Sequence, residues 1–436
     1  MSGYLRTPGL AKRIAITAGA VALFRVGQHL PVPGTDVAAI GEAADAAVRA
    51  DPFAGLVDLL TGGGLLRLSF LGLGVLPYVA ATFVVGLLVH TWPRLRALSA
   101  AGTDGAKVLL RCTWLLSVAF GAPMGTAAVL AAARGDDGVL TGPHGRAVLF
   151  VVIGMTAGTM VTAWLIRLVS LRGLGEGVGV LFLAQLTAVF PRLLWDVRDA
   201  AGTGTFAAAT AAVVVSGTLV LAAVIGLGQA ERRIPIQFAR RMVGVRRRGP
   251  APTYLPFRVN SGELFPVFLA LLLLHVPAVV ARLIPGGGVP DGVWTRPDQG
   301  DPRFLAALFV LAALLAPTGS GDRIDVHATV ARLQREGGFV PGIRPGPNTY
   351  DYLAYVRRRI RAVAAPALGL CALLPPASLL LAGVPGRAPL AGTAVLVLVG
   401  AGLAVSRRVV RQAEFAYQAH KYLPYLPTPP RDPERR

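Results

Sequence analysis

Charge is scarce in this chain: Asp, Glu, Lys and Arg make up 15% of its 436 residues, against roughly 25% in a soluble globular domain. That deficit excludes a large soluble catalytic domain. Cysteine is nearly absent. Cys112 and Cys371 are the only two and both sit inside apolar runs, which excludes a disulfide framework and a zinc site of CxxC type; both read as small core residues. Lysine is rarer still relative to its counterpart, three against 40 arginines, a bias that reads as codon usage in a GC-rich bacterial genome. Phosphate-loop residues in the order GxxxxGK[ST] are missing, so nucleotide hydrolysis would belong to a partner. GxSG, HExxH and paired intramembrane aspartates are missing too, which ranks an intramembrane hydrolase last. No cofactor and no metal are expected, and the chain is not read as an enzyme.

What is abundant is apolar surface: 54% of the residues are hydrophobic and the mean hydropathy is +0.59. Runs bounded by Pro, Gly and charge predict helices near 14–30, 68–90, 108–132, 147–169, 174–194, 206–230, 262–284, 303–317, 360–383 and 388–406. Ten runs of about 20 residues, the length a bilayer asks of a helix, predict a multi-pass membrane protein with both termini on one side. The first run lacks a small-residue cleavage pattern, so it is expected to remain as the first span. The net charge of +20 would suggest nucleic acid in a soluble protein, but here it sorts by loop: 32 of the 43 basic residues fall on the side of the termini and ten on the other side or its span ends. The positive-inside rule then places both termini in the cytoplasm.

One segment breaks the pattern. Residues 53–66, FAGLVDLLTGGGLL, are apolar enough to leave water but too short to span, and each Gly of Thr61-Gly-Gly-Gly64 costs a helix roughly 1 kcal/mol. They predict a re-entrant half-helix on a hinge. Backbone of that kind at membrane depth needs protein or a water-filled cavity around it, which points to a conduit; the alternative is an amphipathic helix lying on the surface. Arg25, within the first run, is expected to snorkel to the interface. Residues 231–260 carry eight Arg against one acid near their start, a pattern that sets topology and also suits phosphate or carboxylate partners.

Five blocks follow one another along the chain: FRVGQHLPVPG (24–34), DPFAGLVDLLTGGGLLRLSFLGLGVLPYVAATF (51–83), RGLGEGVGV (172–180), ERRIPIQFARRMVG with TYLPFRVN (231–244 and 253–260), and REGGFVPGIRPG (335–346). In register across ten predicted spans, they identify a sequence that resembles the SecY family, the channel subunits of the bacterial Sec protein translocase, as a divergent actinobacterial member. Glu176 and Gly179 stand where the family usually has asparagine and serine, and Ser261-Gly-Glu263 follows Asn260.

The resemblance implies an all-α membrane fold of two pseudo-symmetric five-helix halves, 1–205 and 206–406, followed by a cytoplasmic tail, 407–436. It implies a pore ring of Val75, Val79, Phe182, Phe268 and Val397. A plug and hinge are implied at Phe53, Leu56, Leu59, Leu60, Gly62, Gly63 and Gly64, and a lateral gate toward lipid that includes Thr82 and Asn260. The cytoplasmic loops 231–260 and 319–360 are implied to dock a motor or ribosome through Arg240, Arg241, Arg246, Arg247 and Arg344. The partners implied are SecE and SecG subunits, the SecA ATPase, the ribosome, signal-peptide-bearing polypeptides and membrane lipid, with no DNA. The site is the cytoplasmic membrane of a bacterium, and the function is passage of unfolded secretory chains with lateral release of membrane segments.

Two other readings stay open on the sequence. One is an accessory paralogue that handles a subset of substrates. The other is an ion-coupled solute transporter, also a fold of inverted repeats, but the spans offer it little beyond His275, Glu176 and Glu263.

Overall fold

The computed structural model describes residues 10–50, 52–100, 102–135, 144–238, 241–243, 246–248, 253–258, 264–283, 300–319, 326–384 and 391–422. The chain folds into helices α1 (Leu10–His29), α2 (Val37–Ala50), α3 (Pro52–Thr61), α4 (Leu76–Thr91), α5 (Pro93–Ala100), α6 (Gly102–Gly135), α7 (His144–Arg172) and α8 (Gly177–Gln229). Strands β1 (Glu231–Phe238), β2 (Arg241–Val243), β3 (Arg246–Arg248) and β4 (Thr253–Arg258) come next, then α9 (Phe265–Leu283), α10 (Pro302–Gly319) and α11 (Val326–Arg335). The two-residue β5 (Gly338–Phe339), α12 (Pro347–Leu381) and α13 (Ala391–Tyr422) complete the described chain.

Every apolar run predicted to span is helical over most of its length. Asp104–Ala133, Gly145–Arg172, Gly204–Gln229 and Pro347–Leu381 are each long and apolar enough to cross a bilayer. These helices are greasy outside as well as in: Leu115 is 74% exposed, Phe150 62% and Leu370 58%. In water such faces would aggregate; against lipid they are the natural surface. Polar side chains are instead turned inward, Ser117, Thr159, Thr162, Gln185 and Ser216 all being buried. Pro123, Pro191, Pro366, Pro375 and Pro376 lie inside helices, as membrane helices tolerate when neighbours satisfy the freed carbonyls.

Three local differences from the sequence reading have physical causes. The second span starts at Leu76 rather than 68, because residues 62–75 are glycine-rich turns interrupted by a β-bridge between Ser69 and Pro31. A Cβ on Gly72 would lie 2.4 Å from the Gly64 carbonyl oxygen, so this stretch is folded on itself too tightly for a helix. The expected break near 195–205 is absent: α8 is assigned helical throughout its 53 residues, with Pro191 inside it, so the windows Gly177–Arg192 and Gly204–Gln229 are joined by helical backbone. The region after Asp36 is also helical, with the Asp36 carboxylate accepting from the N–H groups of Ala38 and Ala39 at 2.9 and 3.2 Å, an N-cap for α2.

The all-α expectation is modified in the 231–260 loop, whose described residues form strands. In β1 the alternation Arg-Ile-Pro-Ile-Gln puts Ile234 and Ile236 on one face, the period-2 pattern of a half-buried strand. β1 pairs antiparallel with β4, Ile234 opposite Leu255, and with β5, Gln237 opposite Phe339, in the order β4-β1-β5. Leu255 and Phe257 join the two isoleucines against Val326, Val330 and Leu333 of α11 and Leu353 and Val356 of α12. The two arginine-rich loops therefore share one small core. β2 and β3 form a separate pair with Arg241 opposite Arg248.

The chain divides into two compact units, Met1–Ala44 with Leu60–Gln185 and Ala404–Arg436, and Asp45–Leu59 with Leu186–Leu403. The first unit has two apolar cores, one around Leu68, Leu73, Val129, Val151 and Met155, the other around Phe24, Leu71, Val75, Leu165 and Leu181. The second has the strand-bearing core above and one around Ala209, Val213, Leu379 and Val395.

Candidate functional site

The short helix α3 ends in a glycine turn whose backbone is held by hydrogen bonds from several side chains. Gly62 and Gly63 have φ of 73° and 84°, the left-handed conformation that commonly closes a helix and that glycine adopts without strain. The last carbonyls of any helix lack intrahelical partners. Here side chains supply them: Gln185 Nε2 donates to the Leu60 carbonyl, Gln28 Nε2 to that of Thr61 at 2.9 Å, and Arg25 Nη1 to that of Gly62 at 3.4 Å. Arg25 Nη1 also donates to Gln28 Oε1 at 2.6 Å. Guanidinium can only donate, so this bond turns the Gln28 amide with its NH₂ toward α3.

Beyond the glycines the chain is pinned in turn. The N–H and Oγ of Ser69 both donate to the Gly64 carbonyl at 3.1 and 3.0 Å, Phe70 N–H donates to Leu30 and Leu71 N–H to Gly27. Gly158 of α7 faces this stretch so closely that a Cβ there would meet the Phe70 carbonyl oxygen at 1.8 Å.

The expected hinge residues thus lie where the chain turns, and of the plug residues Leu56, Leu59 and Leu60 are buried on α3, as is the neighbouring Asp58. Phe53 lies in its first turn. Of the expected pore ring, Val75 caps α4 at its N-terminus rather than lying within a helix, fully buried in the core that Val79 also joins. Phe182, half-buried, follows Leu181 of that core on α8. Phe268 on α9 and the buried Val397 on α13 belong to the second unit. Thr82 is exposed, its hydroxyl donating to the Tyr78 carbonyl at 2.8 Å. Asn260 and Arg240 lie outside the described residues. Arg241 is in β2, Arg246 and Arg247 in β3. Arg344 is exposed in the turn before α12, where Thr349 Oγ1 donates to its carbonyl at 3.1 Å.

Gln28 and Gln185 are not among the expected site residues; Gln185 stands out as an amide in the middle of an apolar run, whereas Gln28 lies between Arg25 and His29 at the polar end of the first one. Arg25, expected to snorkel, is half-buried and bonded to Gln28 and the Gly62 carbonyl. Glu176, the departure at the start of α8, is paired with Arg408 of α13. His275 is buried, its Nδ1 2.7 Å from the Leu271 carbonyl oxygen and its ring edge-on to Phe304, in keeping with a packed residue. Among the described residues no three His, Cys, Asp or Glu side chains gather as a metal site.

The arrangement resembles known proteins in sequence and in fold. A family model described as SecY matches residues 69–406. The protein translocase subunit SecY of Streptomyces scabiei is 33% identical over 438 residues, covering 97% of this chain and 98% of the relative, and that of Mycobacterium leprae (strain TN) is 31% identical over 426 residues, covering 94% and 96%. Among solved structures, a protein conducting channel superposes with a TM-score of 0.57 at 15% identity, covering 96% of this chain and 94% of the other. A structure on how the plug domain of the SecY protein stabilises the closed state gives 0.56 at 16%, and Sec61 in the canine ribosome–channel complex 0.55 at 15%, both with coverage of 96% and 94%. At such identities these likenesses speak to fold.

Proposed function

Because the chain belongs to the SecY family, the channel subunits of the protein translocase, we propose that it is the conduit through which unfolded secretory polypeptides cross a bacterial cytoplasmic membrane and from which membrane segments leave sideways into lipid. Family membership over nearly the whole length carries this reading, and the capped stub α3 on its glycine turn supports it.

A channel of this kind must pass a chain yet hold back ions, and a narrow apolar ring that dewets when empty does so. Val75, Val79, Phe182, Phe268 and Val397 are proposed as that ring, contributed by the halves 1–205 and 206–406. The segment 53–66 is the plug, released about Gly62–Gly64, and Thr82 and Asn260 belong to the seam that opens to lipid. Both termini and the tail 407–436 lie in the cytoplasm, supported by the weight of basic residues on that side.

The chain supplies no energy and catalyses no bond change; a SecA motor or the ribosome does the pushing, with SecE and SecG as companions. Ribosome docking is supported by the fold shared with Sec61 in its ribosome complex. The docking residues are Arg240, Arg241, Arg246, Arg247 and Arg344, and the shared core of the two arginine-rich loops would let both act as one surface. Depletion of the protein in its own cell tests the reading: export of a reporter bearing a signal peptide should stop while solute uptake continues. Normal export of every signal-peptide reporter after depletion would refute it.

A further inference from the structure

We propose that Gln28 and Gln185, oriented by Arg25, form a polar latch that holds the plug shut by capping the last carbonyls of α3, and that plug release consists chemically of giving up these bonds. This rests on reading α3 as the plug.

The geometry is specific. Three successive carbonyls, those of Leu60, Thr61 and Gly62, are taken by three side-chain donors from two other helices, α1 and α8. Gln28 is 2% exposed and Gln185 0%, so no water competes for these donors in the closed state. Gly62 is required for the fit: a Cβ there would lie 2.7 Å from Gln185 Cβ and 2.8 Å from Gln28 Nε2. Gly74 on the far side is equally tight, its Cβ position 2.7 Å from Gln185 Oε1. The turn has been brought as close to both amides as backbone permits.

The latch is strong enough to hold and weak enough to open. A buried carbonyl left without a donor costs about 1–3 kcal/mol, but a hydrogen bond exchanged for one to water is worth about 1 kcal/mol net. Withdrawal of α3 into a dry space is therefore disfavoured, and withdrawal accompanied by water or an entering chain is not. Gln185 Oε1 is also buried with no hydrogen-bond partner among the described residues, a cost carried by the closed state that lowers the step to opening. Gln185 stands one turn along α8 from Phe182, so a shift of that helix that moves the proposed ring also pulls the donor from Leu60.

The test is resting ion conductance of the full-length chain, purified with its accompanying subunits, in planar bilayers. Gln28→Leu and Gln185→Met, singly, should each raise conductance about five-fold, the equivalent of one net hydrogen bond, and together by more than either alone. A second chain lacking residues 53–61 should be constitutively leaky, and in it the same substitutions should add nothing. Wild-type conductance in the substituted full chain, with the deletion leaky, overturns the latch and leaves the plug standing. An equal rise in both backgrounds also overturns it, because the glutamines would then act on packing at large. A tight deletion chain removes the plug reading and the latch with it.

Discussion

Gln412 and Gly175 are joined by a pair of hydrogen bonds: the Gly175 N–H donates to Gln412 Oε1 at 2.8 Å, and Gln412 Nε2 donates to the Gly175 carbonyl at 3.4 Å. With the Glu176–Arg408 ion pair one residue away, they fasten the C-terminal part of α13 to the turn between α7 and α8. Gln412→Ala should lower stability by about 1–2 kcal/mol, two modest hydrogen bonds. Arg408→Ala, which breaks a half-exposed pair, should cost less than about 1 kcal/mol. Thermal unfolding in detergent orders the two, and a larger loss for Arg408→Ala would contradict the assignment.

Gly62→Ala is predicted to be worse than Gly102→Ala. Both positions have φ of +73°, but nothing lies within 4 Å of a Cβ at Gly102 while Gln185 and Gln28 crowd one at Gly62. The left-handed conformation alone costs an alanine about 1–2 kcal/mol; the clash adds to that only at Gly62. Melting temperatures of the two variants compare the terms directly, and equal shifts would mean that the turn relaxes freely.

How far the sequence could be read follows from the range of the forces involved. Apolar runs are local and large, so the spans were legible, and so was the turn at Gly62, because three glycines end a helix in any context. Other features depend on partners distant in sequence. Gln28 and Gln185 gain meaning only when α1 and α8 converge on α3, across 33 and 125 residues. The start of α4 at Leu76 is set by carbonyls of Leu30, Gly27 and Gly64 that claim the N–H groups of residues 69–71. The period of two was visible in Arg-Ile-Pro-Ile-Gln of β1 and in Tyr-Leu-Pro-Phe-Arg of β4, masked by the arginine count that made the segment look like plain loop.

Arg344→Glu should slow motor-driven transport by roughly tenfold, the equivalent of one lost charge contact at an interface, without loss of folded protein. The side chain is exposed and the turn is held instead by its backbone, through Thr349. Transport into inverted vesicles measures the rate and the melting temperature measures folding. Unchanged transport would remove Arg344 from the docking surface.

Val75→Gly with Val79→Gly should raise resting ion conductance several-fold, since both remove branched apolar surface from the proposed ring and a wider, wetter constriction no longer excludes ions. Leu115→Gly, on an exposed face of α6, serves as the control for helix weakening alone. Equal leaks from ring and control would dissociate Val75 and Val79 from the seal.

The most direct measurement places a photoreactive side chain at Val79 and irradiates while a secretory polypeptide is stalled in transit. The account predicts a crosslink to the stalled chain at Val79 that requires a functional signal peptide, and none at Leu115 on the exposed face of α6. No adduct at Val79, or equal adducts at both positions, would show that the polypeptide does not pass through this chain's centre.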